Sequence, residues 1–405
     1  MQPPSNPLRD PRIWASGSDA PEKPVLELGF MPLCDSASLI VAATQGFAQQ
    51  HGLSLNLRRQ HSWAGLRDNL LNGRLDAAQG LYGQVYGIQL GIAGPQADLA
   101  VLMGLNLNGQ GITLSRSLQQ AGVRDGEALA RYAHQNKARL RLAHTCNTGT
   151  HALWLYYWLA AHGIHPLRDI DSPVVPPADM VEHLRNGDID GFCAGEPWGS
   201  CASQQQLGFT VSTTQAIWPD HPEKVLFCSR QFADQHPNTA RALTCAILEA
   251  SRFIDASADN RRDTAQLISA ACYLDAPASI LQDALLGSGQ NALGQACQDP
   301  HPLQFHADGR ANQPWLSDAL WFLSQLRRWG LLRSDPDYLA VARQVQRMDI
   351  YADAATALGI PLDTSNLRSA RLCDGGLWSG SNPADYARSF SLHGLTDEGS
   401  PCASC

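Results

Sequence analysis

The stretch VLELGFMPLCDSASLIVAATQGFAQQHGLSLNLR, residues 25–58, decides the fold class of this chain. It begins with an apolar run at 25–30, continues with a helix from about Ser36 to His51, and ends with an alternating strand at 53–58. A strand, a crossover helix and a second strand in this order form a parallel pair. The stretch therefore predicts an α/β protein with a mostly parallel sheet.

The same alternation of strands and helices continues through the first half of the chain. From Asn238 onward the pattern turns helical, and the clearest helices there are expected at 238–257 and 317–329. Alternation of this kind is typical of parallel sheets whose crossover helices cover both faces. Further strands are expected at 75–79, 100–107, 139–144 and 189–194, and further helices at 63–72, 124–135, 150–162 and 178–186.

Two α/β units with crossings between them predict a two-lobed architecture. We assign residues 24–117 together with 222–390 to lobe 1, which then includes the C-terminal helices, and residues 118–221 to lobe 2. The Pro-rich residues 1–23 and the last residues, 391–405, are predicted to be a flexible arm and tail. Ligands of such sheets bind outside the carboxyl ends of the strands or between the domains.

Composition limits the classes of function. The formal net charge of the 405-residue chain is −8, which argues against direct nucleic-acid binding because phosphate contacts need clustered Lys and Arg. No window approaches the roughly 18 apolar residues of a membrane span. Since the overall charge repels anions, any anion site has to be built locally. The sequence shows no cofactor motif and no paired metal ligands, so we expect neither a cofactor nor a metal.

The first thirty residues and the cysteines predict a cytoplasmic protein. Residues 1–30 contain no apolar run of the length that a secretory signal needs. Eleven cysteines, an odd number at irregular spacing, do not suggest a disulfide framework and fit a reducing compartment. Cys402 and Cys405 have the spacing of a redox or metal motif, and the alternative is a frayed tail.

Two helix starts are candidates for an anion site. Gly149, Thr150 and His151 begin a helix predicted to be amphipathic, where free backbone N–H groups and the helix dipole favour negative charge. The alternative is a capped helix with a polar surface histidine. Trp63 follows the capping residue Ser62, and its indole N–H can only donate. A plain core tryptophan is the alternative there.

Two further positions suit the same ligand. Gln110 lies in a segment of amides and glycines at 106–111, after a predicted strand, where a polar turn is the alternative. Lys224 is one of only three lysines and precedes an apolar strand, so it could supply the positive charge that an oxyanion needs. The alternative is an exposed lysine paired with its neighbour Glu223.

Together these segments resemble one family, the nitrate- and bicarbonate-binding proteins of ABC uptake systems, and within it the NasS-type nitrate/nitrite sensors. The resemblance covers roughly residues 24–390. The stretches LYGQVYGIQ at 81–89 and LWLYYWL at 153–159 look like the sensor branch. The other matching segments are GFMPLCD at 29–35, SW at 62–63, LDAAQ at 75–79, LNLNGQGITLS at 105–115, GTH at 149–151, DGFCAGEPW at 190–198, TQAIWPDHPEK at 214–224 and WFLSQLRRWG at 321–330.

The resemblance implies a two-lobed clamp of the periplasmic-binding-protein type (type II), with the anion bound in the cleft. Bicarbonate-binding relatives carry an acidic residue in place of Lys224, so Lys224 favours nitrate or nitrite. The loop at 145–148 reads TCNT and departs from the family pattern of an aromatic residue and a proline. The ligand-binding positions that the resemblance implies are Trp63, Gln110, Gly149, Thr150, His151 and Lys224.

The resemblance also implies a function without catalysis. A cytoplasmic protein of this kind is expected to close on nitrate or nitrite and to control a NasT-type RNA-binding transcription antiterminator. The alternative is the substrate-binding component of a nitrate ABC transporter. An enzyme on the same scaffold is the third possibility, but no Walker A segment and no Gly-x-Ser-x-Gly segment is present.

Overall fold

The computed structural model describes residues 19–136, 139–290 and 295–395. The strands are β1 (Val25–Phe30), β2 (Ser54–Arg59), β3 (Ala77–Leu81), β4 (Leu99–Gly104), β5 (Gln110–Ser115), β6 (Leu140–Ala143), β7 (Ile170–Asp171), β8 (Gly191–Gly195), β9 (Gly208–Thr213), β10 (Lys224–Ser229), β11 (Ser288–Gln290), β12 (Ala296–Gln298), β13 (Ala370–Arg371) and β14 (Leu377–Trp378).

Helices cover and connect these strands. Between β1 and β2 the predicted helix is two helices, because Gly46 interrupts it with a positive φ of 87°. The helices are α1 (Ala37–Thr44), α2 (Phe47–Gln50), α3 (Trp63–Leu71), α4 (Tyr82–Gln89), α5 (Arg116–Gln120), α6 (Gly126–Asn136), α7 (Thr150–Ala161), α8 (Met180–Asn186), α9 (Trp198–Gln204), α10 (Arg230–Gln235), α11 (Pro237–Asp255), α12 (Ala258–Ile268), α13 (Ala278–Leu286), α14 (Leu316–Arg328), α15 (Tyr338–Val345), α16 (Met348–Ala357) and α17 (Pro383–Arg388).

The α/β class that the sequence predicts is confirmed: two sheets of five strands form the two lobes. The first sheet has the order β2-β1-β3-β10-β4, and the second has the order β7-β6-β8-β5-β9. In each sheet one strand runs antiparallel to both of its neighbours, namely β10 in the first and β5 in the second. Both of these strands come directly after the chain has crossed from the other sheet.

The first crossing lies earlier in the chain than the predicted boundary after residue 117. Strand β5 pairs with β8 and β9, so it belongs to the second sheet and not to the first. The sequence could not show this, because β4 and β5 are both apolar and neighbouring strands usually share a sheet. The predicted arm and tail fall largely outside the described residues, as do Cys402 and Cys405.

The two crossing segments, 105–109 and 214–223, lie side by side. The amide of Asn108 donates to the carbonyl of His221 at 3.1 Å, and the amide of Glu223 donates to the carbonyl of Asn106 at 3.3 Å. Leu107 and Pro222 form an antiparallel bridge between the same segments. The lobes are therefore joined by a short ribbon of two strands. Asn106 and Asn108 serve this ribbon, whereas Gln110 begins the strand beyond it.

Helix α7 connects the core of the second lobe to the C-terminal helices. Every residue from Thr150 to Leu159 is buried, so the prediction of an amphipathic helix at this position is wrong. Trp154 of α7 stacks on Trp321 of α14, with ring centroids 4.6 Å apart. The C-terminal segment thus covers the face of α7 that carries Trp154. No helix in the described ranges is long and apolar enough to cross a lipid bilayer.

We expect Trp321→Ala to lower the free energy of unfolding by about 3–5 kcal/mol, because it leaves a large cavity between α7 and α14. Urea unfolding monitored by far-UV circular dichroism measures the change. The control is Leu339→Ala on the exposed face of α15, whose side chain is 40% exposed and whose loss should cost no more than about 0.5 kcal/mol. Equal effects of the two variants would contradict the assigned role of Trp321.

Candidate functional site

Each predicted site residue lies at or next to the start of a helix or strand. Trp63 is the first residue of α3, which Ser62 caps by accepting from the amide of Gly65 at 3.1 Å. His151 lies in the first turn of α7. Gln110 is the first residue of β5 and pairs with Gly195, where β8 ends. Lys224 is the first residue of β10 and pairs with Leu81, where β3 ends.

The structure brings three of these side chains close to the ammonium group of a fourth, Lys224. The Nζ atom of Lys224 lies 3.4 Å from Oε1 of Gln110 and 3.5 Å from Nε2 of His151. The same atom lies 5.9 Å from the centroid of the Trp63 ring. All four side chains are buried, and Lys224 is 0% exposed. The spacing in sequence is up to 161 residues, so only the fold assembles this group.

Gly149 lets the two lobes pack closely, because it has no side chain. A Cβ atom at this position would lie 2.5 Å from Cδ1 of Leu81, which is closer than real side chains approach. Gly87 in α4 has a similar role, because its Cβ atom would lie 2.6 Å from Oγ1 of Thr148. The loop before α7 can therefore rest directly on lobe 1. Cys146 of this loop is half-buried, with its Sγ atom 3.8 Å from Oγ1 of Thr148.

Two buried carboxylates that the sequence analysis did not assign to the site also contact the ammonium group. Lys224 Nζ lies 2.9 Å from Oδ2 of Asp35 and 2.9 Å from Oε1 of Glu223. Glu223 was considered only as the surface partner of an exposed lysine; the pair exists, but both side chains are 0% exposed. The positive charge of Lys224 is therefore shared by two carboxylates.

Glu223 joins the two lobes through its other contacts. The hydroxyl of Thr150 donates to Oε1 of Glu223, and the indole Nε1 of Trp154 donates to Oε2 at 2.7 Å. The resemblance implies Thr150 as a ligand-binding position, and in the structure its hydroxyl donates to Glu223. An acidic residue next to one of only three lysines, followed by an apolar strand, is a sequence signal that could have pointed to this role.

Asp35 is surrounded by donors in the same way. Its Oδ1 atom accepts from Nε2 of Gln79, and its Oδ2 atom accepts from Nε2 of Gln110 at 3.1 Å. Burial by itself would lower the pKa of Lys224, but Asp35 and Glu223 outweigh it and raise that pKa. Lys224 is therefore a permanent cation in this site.

His151 is a neutral imidazole in the structure. Burial, followed by the nearby Lys224 ammonium, lowers its pKa well below the usual value for histidine. Nε2 of His151 lies 2.7 Å from Oε1 of Gln110, and Nδ1 lies 2.6 Å from Oγ1 of Thr145. An amide oxygen can only accept, so Nε2 carries the hydrogen and Nδ1 accepts from the threonine hydroxyl.

One strong donor at the site has no acceptor. The indole Nε1 of Trp63 is buried and makes no hydrogen bond within the described part of the chain. A buried N–H without an acceptor is rare in native proteins. The amide oxygen of Gln110 meanwhile lies within reach of both His151 and Lys224, at a point where an oxygen of a ligand would find the same two donors. The geometry suits a small acceptor with several oxygens.

A cavity of about 800 Å³ borders the site at Gly109 and Gln110. Its wall is formed by hydroxyl and amide side chains of α9 and β9 on one side and by α13 and the hairpin β11–β12 on the other. Three carboxylates, of Glu196, Asp283 and Asp299, line it. Among the described residues no cluster of three or more His, Cys, Asp or Glu could bind a metal ion.

Two α/β lobes that are joined by a crossing ribbon and close over a buried polar site define a binding protein of the periplasmic-binding-protein fold. The chain belongs to the NMT1-like family, which it matches over residues 19–269, and to its group of nitrate- and bicarbonate-binding proteins.

Three comparisons with known proteins carry this assignment. The nitrate/nitrite binding protein NrtA of Synechocystis sp. (strain PCC 6803) is 33% identical over 391 residues, which cover 94% of this chain and 87% of that protein. The crystal structure of the periplasmic nitrate-binding protein NrtA from Synechocystis PCC 6803 has a TM-score of 0.88 and 32% identity, covering 92% of this chain and all of that one. The nitrate import ATP-binding protein NrtC of the same organism is 34% identical over 394 residues, which cover 94% of this chain, and the chain spans 57% of its length.

The buried histidines predict how stability depends on pH. Burial lowers the pKa of His144 to about 4 and that of His221 to about 3, and it lowers that of His151 as well. In the unfolded chain a histidine has a pKa of about 6.5, so below that pH the unfolded state binds more protons than the folded state. Stability is therefore lost as the pH falls from about 6.5 toward 4, by about 1 kcal/mol for each buried histidine and pH unit.

Urea unfolding at several pH values below about 6.5 measures this slope. The variant His144→Gln should have a slope that is shallower by about 1 kcal/mol per pH unit, because it removes one titrating group. A slope identical to that of the wild-type protein would show that His144 is not buried as a neutral imidazole.

Proposed function

We propose that this protein binds nitrate or nitrite between its lobes. The observation that carries the proposal is the convergence of His151, Gln110 and Trp63 on the buried ammonium of Lys224, with one indole N–H still lacking an acceptor. Nitrate is small and accepts hydrogen bonds on three oxygens without donating any. A permanent cation and N–H donors suit such an ion, because charge-assisted hydrogen bonds are the stronger ones.

The relatives support the same ligand class. NrtA of Synechocystis is named as a nitrate/nitrite binding protein and is similar to this chain over 94% of its length. Lys224 favours an anion without a proton over bicarbonate, which carries a proton of its own. The proposal covers both anions, because Cys146 and Asn147 of the loop at 145–148 differ from the pattern that the resemblance implies.

We further propose that the protein is a cytoplasmic sensor rather than a carrier. The segments that look like the sensor branch lie in α4 and α7, and α4 contacts the loop before α7 where Gly87 faces Thr148. Cys34, Cys193 and Cys228 are buried as thiols, which fits a reducing compartment. The ligand would stabilise the closed form, and the shift in population would be the signal. The proposed partner is a NasT-type RNA-binding antiterminator that the open form retains.

The second candidate is the substrate-binding component of a nitrate ABC transporter. Its support is the similarity to the periplasmic NrtA over 92% of the chain. The two functions share the ligand and the clamp and differ in compartment and partner.

The ligand is tested with Trp63→Phe. This variant keeps the ring and removes only the N–H that lacks an acceptor, so the folded protein without ligand should lose no hydrogen bond. We expect the affinity for nitrate, measured by isothermal titration calorimetry, to fall by about 10- to 100-fold, as for a lost hydrogen bond to a charged group.

The matched control is Trp198→Phe. Trp198 of α9 also has a buried Nε1 atom without an acceptor among the described residues, but it is not one of the residues that converge on Lys224. Its substitution should leave nitrate affinity unchanged. If neither nitrate nor nitrite produces heat with the folded wild-type protein, the proposed ligand class is wrong. Equal losses in both variants would remove Trp63 from the site.

The sensor role is tested with a candidate antiterminator that contains an RNA-binding domain of the NasT type. We expect the two proteins to co-elute in size-exclusion chromatography without nitrate and to separate when nitrate is present at a saturating concentration. Fractionation of cells provides the second readout. Recovery of the protein from the periplasm, without any complex in either condition, would favour the transporter component.

A further inference from the structure

The charges at the candidate site do not balance before any ligand binds. One ammonium, that of Lys224, faces two carboxylates, those of Asp35 and Glu223, at 2.9 Å each. His151 adds no charge, because burial keeps it neutral. The buried cluster therefore carries one excess negative charge. A nitrate ion would bring a second, and like charges in a buried site repel each other strongly.

Hydrogen-bond donors contact the oxygens of both carboxylates. Asp35 accepts hydrogen bonds from Gln79, Gln110 and Lys224, so both of its oxygens are occupied by donors. Glu223 accepts from Thr150, Trp154 and Lys224. Burial raises the pKa of Asp35, whereas the Lys224 ammonium and the hydrogen bond from Gln110 act in the opposite direction and favour the charged form.

His151 does have a place for a proton. Its Nε2 atom already donates to Oε1 of Gln110, and its Nδ1 atom lies 2.6 Å from Oγ1 of Thr145. A hydroxyl can either donate or accept, and it changes between the two by rotating. A proton from water can therefore be added at Nδ1 and donated to Thr145, while Nε2 keeps its hydrogen for the ligand.

We propose that the site takes up the anion together with one proton, and that the proton is bound at Nδ1 of His151. The inference rests on the proposed function. The anion and the imidazolium then offset each other, so the net charge of the buried cluster does not change on binding. Asp35 and Glu223, which at first look unsuited to an anion site, are the reason why the proton is needed.

The other charged and titratable groups near His151 do not replace it. His144 contacts Tyr156. His221 contacts Thr214, and its Nδ1 atom lies 3.7 Å from Oε2 of Glu223, but that nitrogen also lies 3.1 Å from the carbonyl oxygen of Pro222, and burial lowers the pKa of His221 to about 3. Cys193 is a buried thiol whose pKa burial raises well above its usual value, so it carries no charge. Lys224 is already protonated.

Calorimetry of the full chain with potassium nitrate tests the proposal. Titrations are run at about pH 7 in buffers of different ionisation enthalpy, such as PIPES, HEPES and Tris. The slope of the observed binding enthalpy against the ionisation enthalpy of the buffer gives the number of protons taken up. We expect about one proton to be taken up for each nitrate. Above about pH 7 the dissociation constant for nitrate should rise by up to about tenfold for each pH unit. Nitrate itself does not bind protons at this pH, so the proton must be bound by the protein.

Two variants assign the proton to its residue. His151→Gln keeps a donor for Gln110 but cannot be protonated, so nitrate binding should be weaker and should take up no proton. His144→Gln, a buried histidine outside the site, should take up about one proton like the wild-type protein. Proton uptake that persists in His151→Gln would overturn the assignment to His151.

The same experiment separates the inference from the proposed function. If nitrate binds without proton uptake and with an affinity that does not depend on pH, the inference is overturned and the proposed ligand stands. If neither nitrate nor nitrite binds at any pH between about 5.5 and 8.5, a range that includes the ordinary pKa of histidine, both are overturned.

Discussion

The buried ammonium of Lys224 between the carboxylates of Asp35 and Glu223 is the interaction on which the rest of the structure depends. Removing three charges from water is costly unless each is paired and hydrogen-bonded. Gln79 and Gln110 provide donors for Asp35, while Thr150 and Trp154 provide donors for Glu223. These donors come from both lobes, so satisfying the charges also brings the lobes together. The closed cleft and the buried ion cluster therefore depend on each other.

The reversed strand in each sheet explains why the site lies where it does. The other strands of a sheet end at the edge that faces the cleft, and a strand that runs the opposite way begins there. Lys224 begins β10 opposite the end of β3, and Gln110 begins β5 opposite the end of β8. The first residue of the strand that follows each crossing therefore lies at the cleft. The short ribbon between the lobes fixes both of these positions at once.

Much of the fold could be predicted from the local sequence pattern, and the errors of that prediction have physical causes. The helix and strand at 37–44 and 54–59 follow from apolar periodicity, although Gly46 divides what looked like one helix. Strand β5 was assigned to the wrong sheet, because its apolar residues suit either sheet equally well. The helix at 150–161 was predicted to be amphipathic. In the structure its residues 150–159 are all buried, and Trp154 stacks on Trp321 of α14.

The sequence by itself determined the α/β class and the two-lobed plan, since periodicity is a local property. The candidate ligand positions came from the resemblance to a family and stay a prediction. The sequence also placed Glu223 beside Lys224. Only the tertiary structure decided that both are buried, that Asp35 joins them, and that His151 stays neutral beside them. The reason is that charge state and burial depend on the groups that surround a side chain, and here those groups come from segments far apart in the chain.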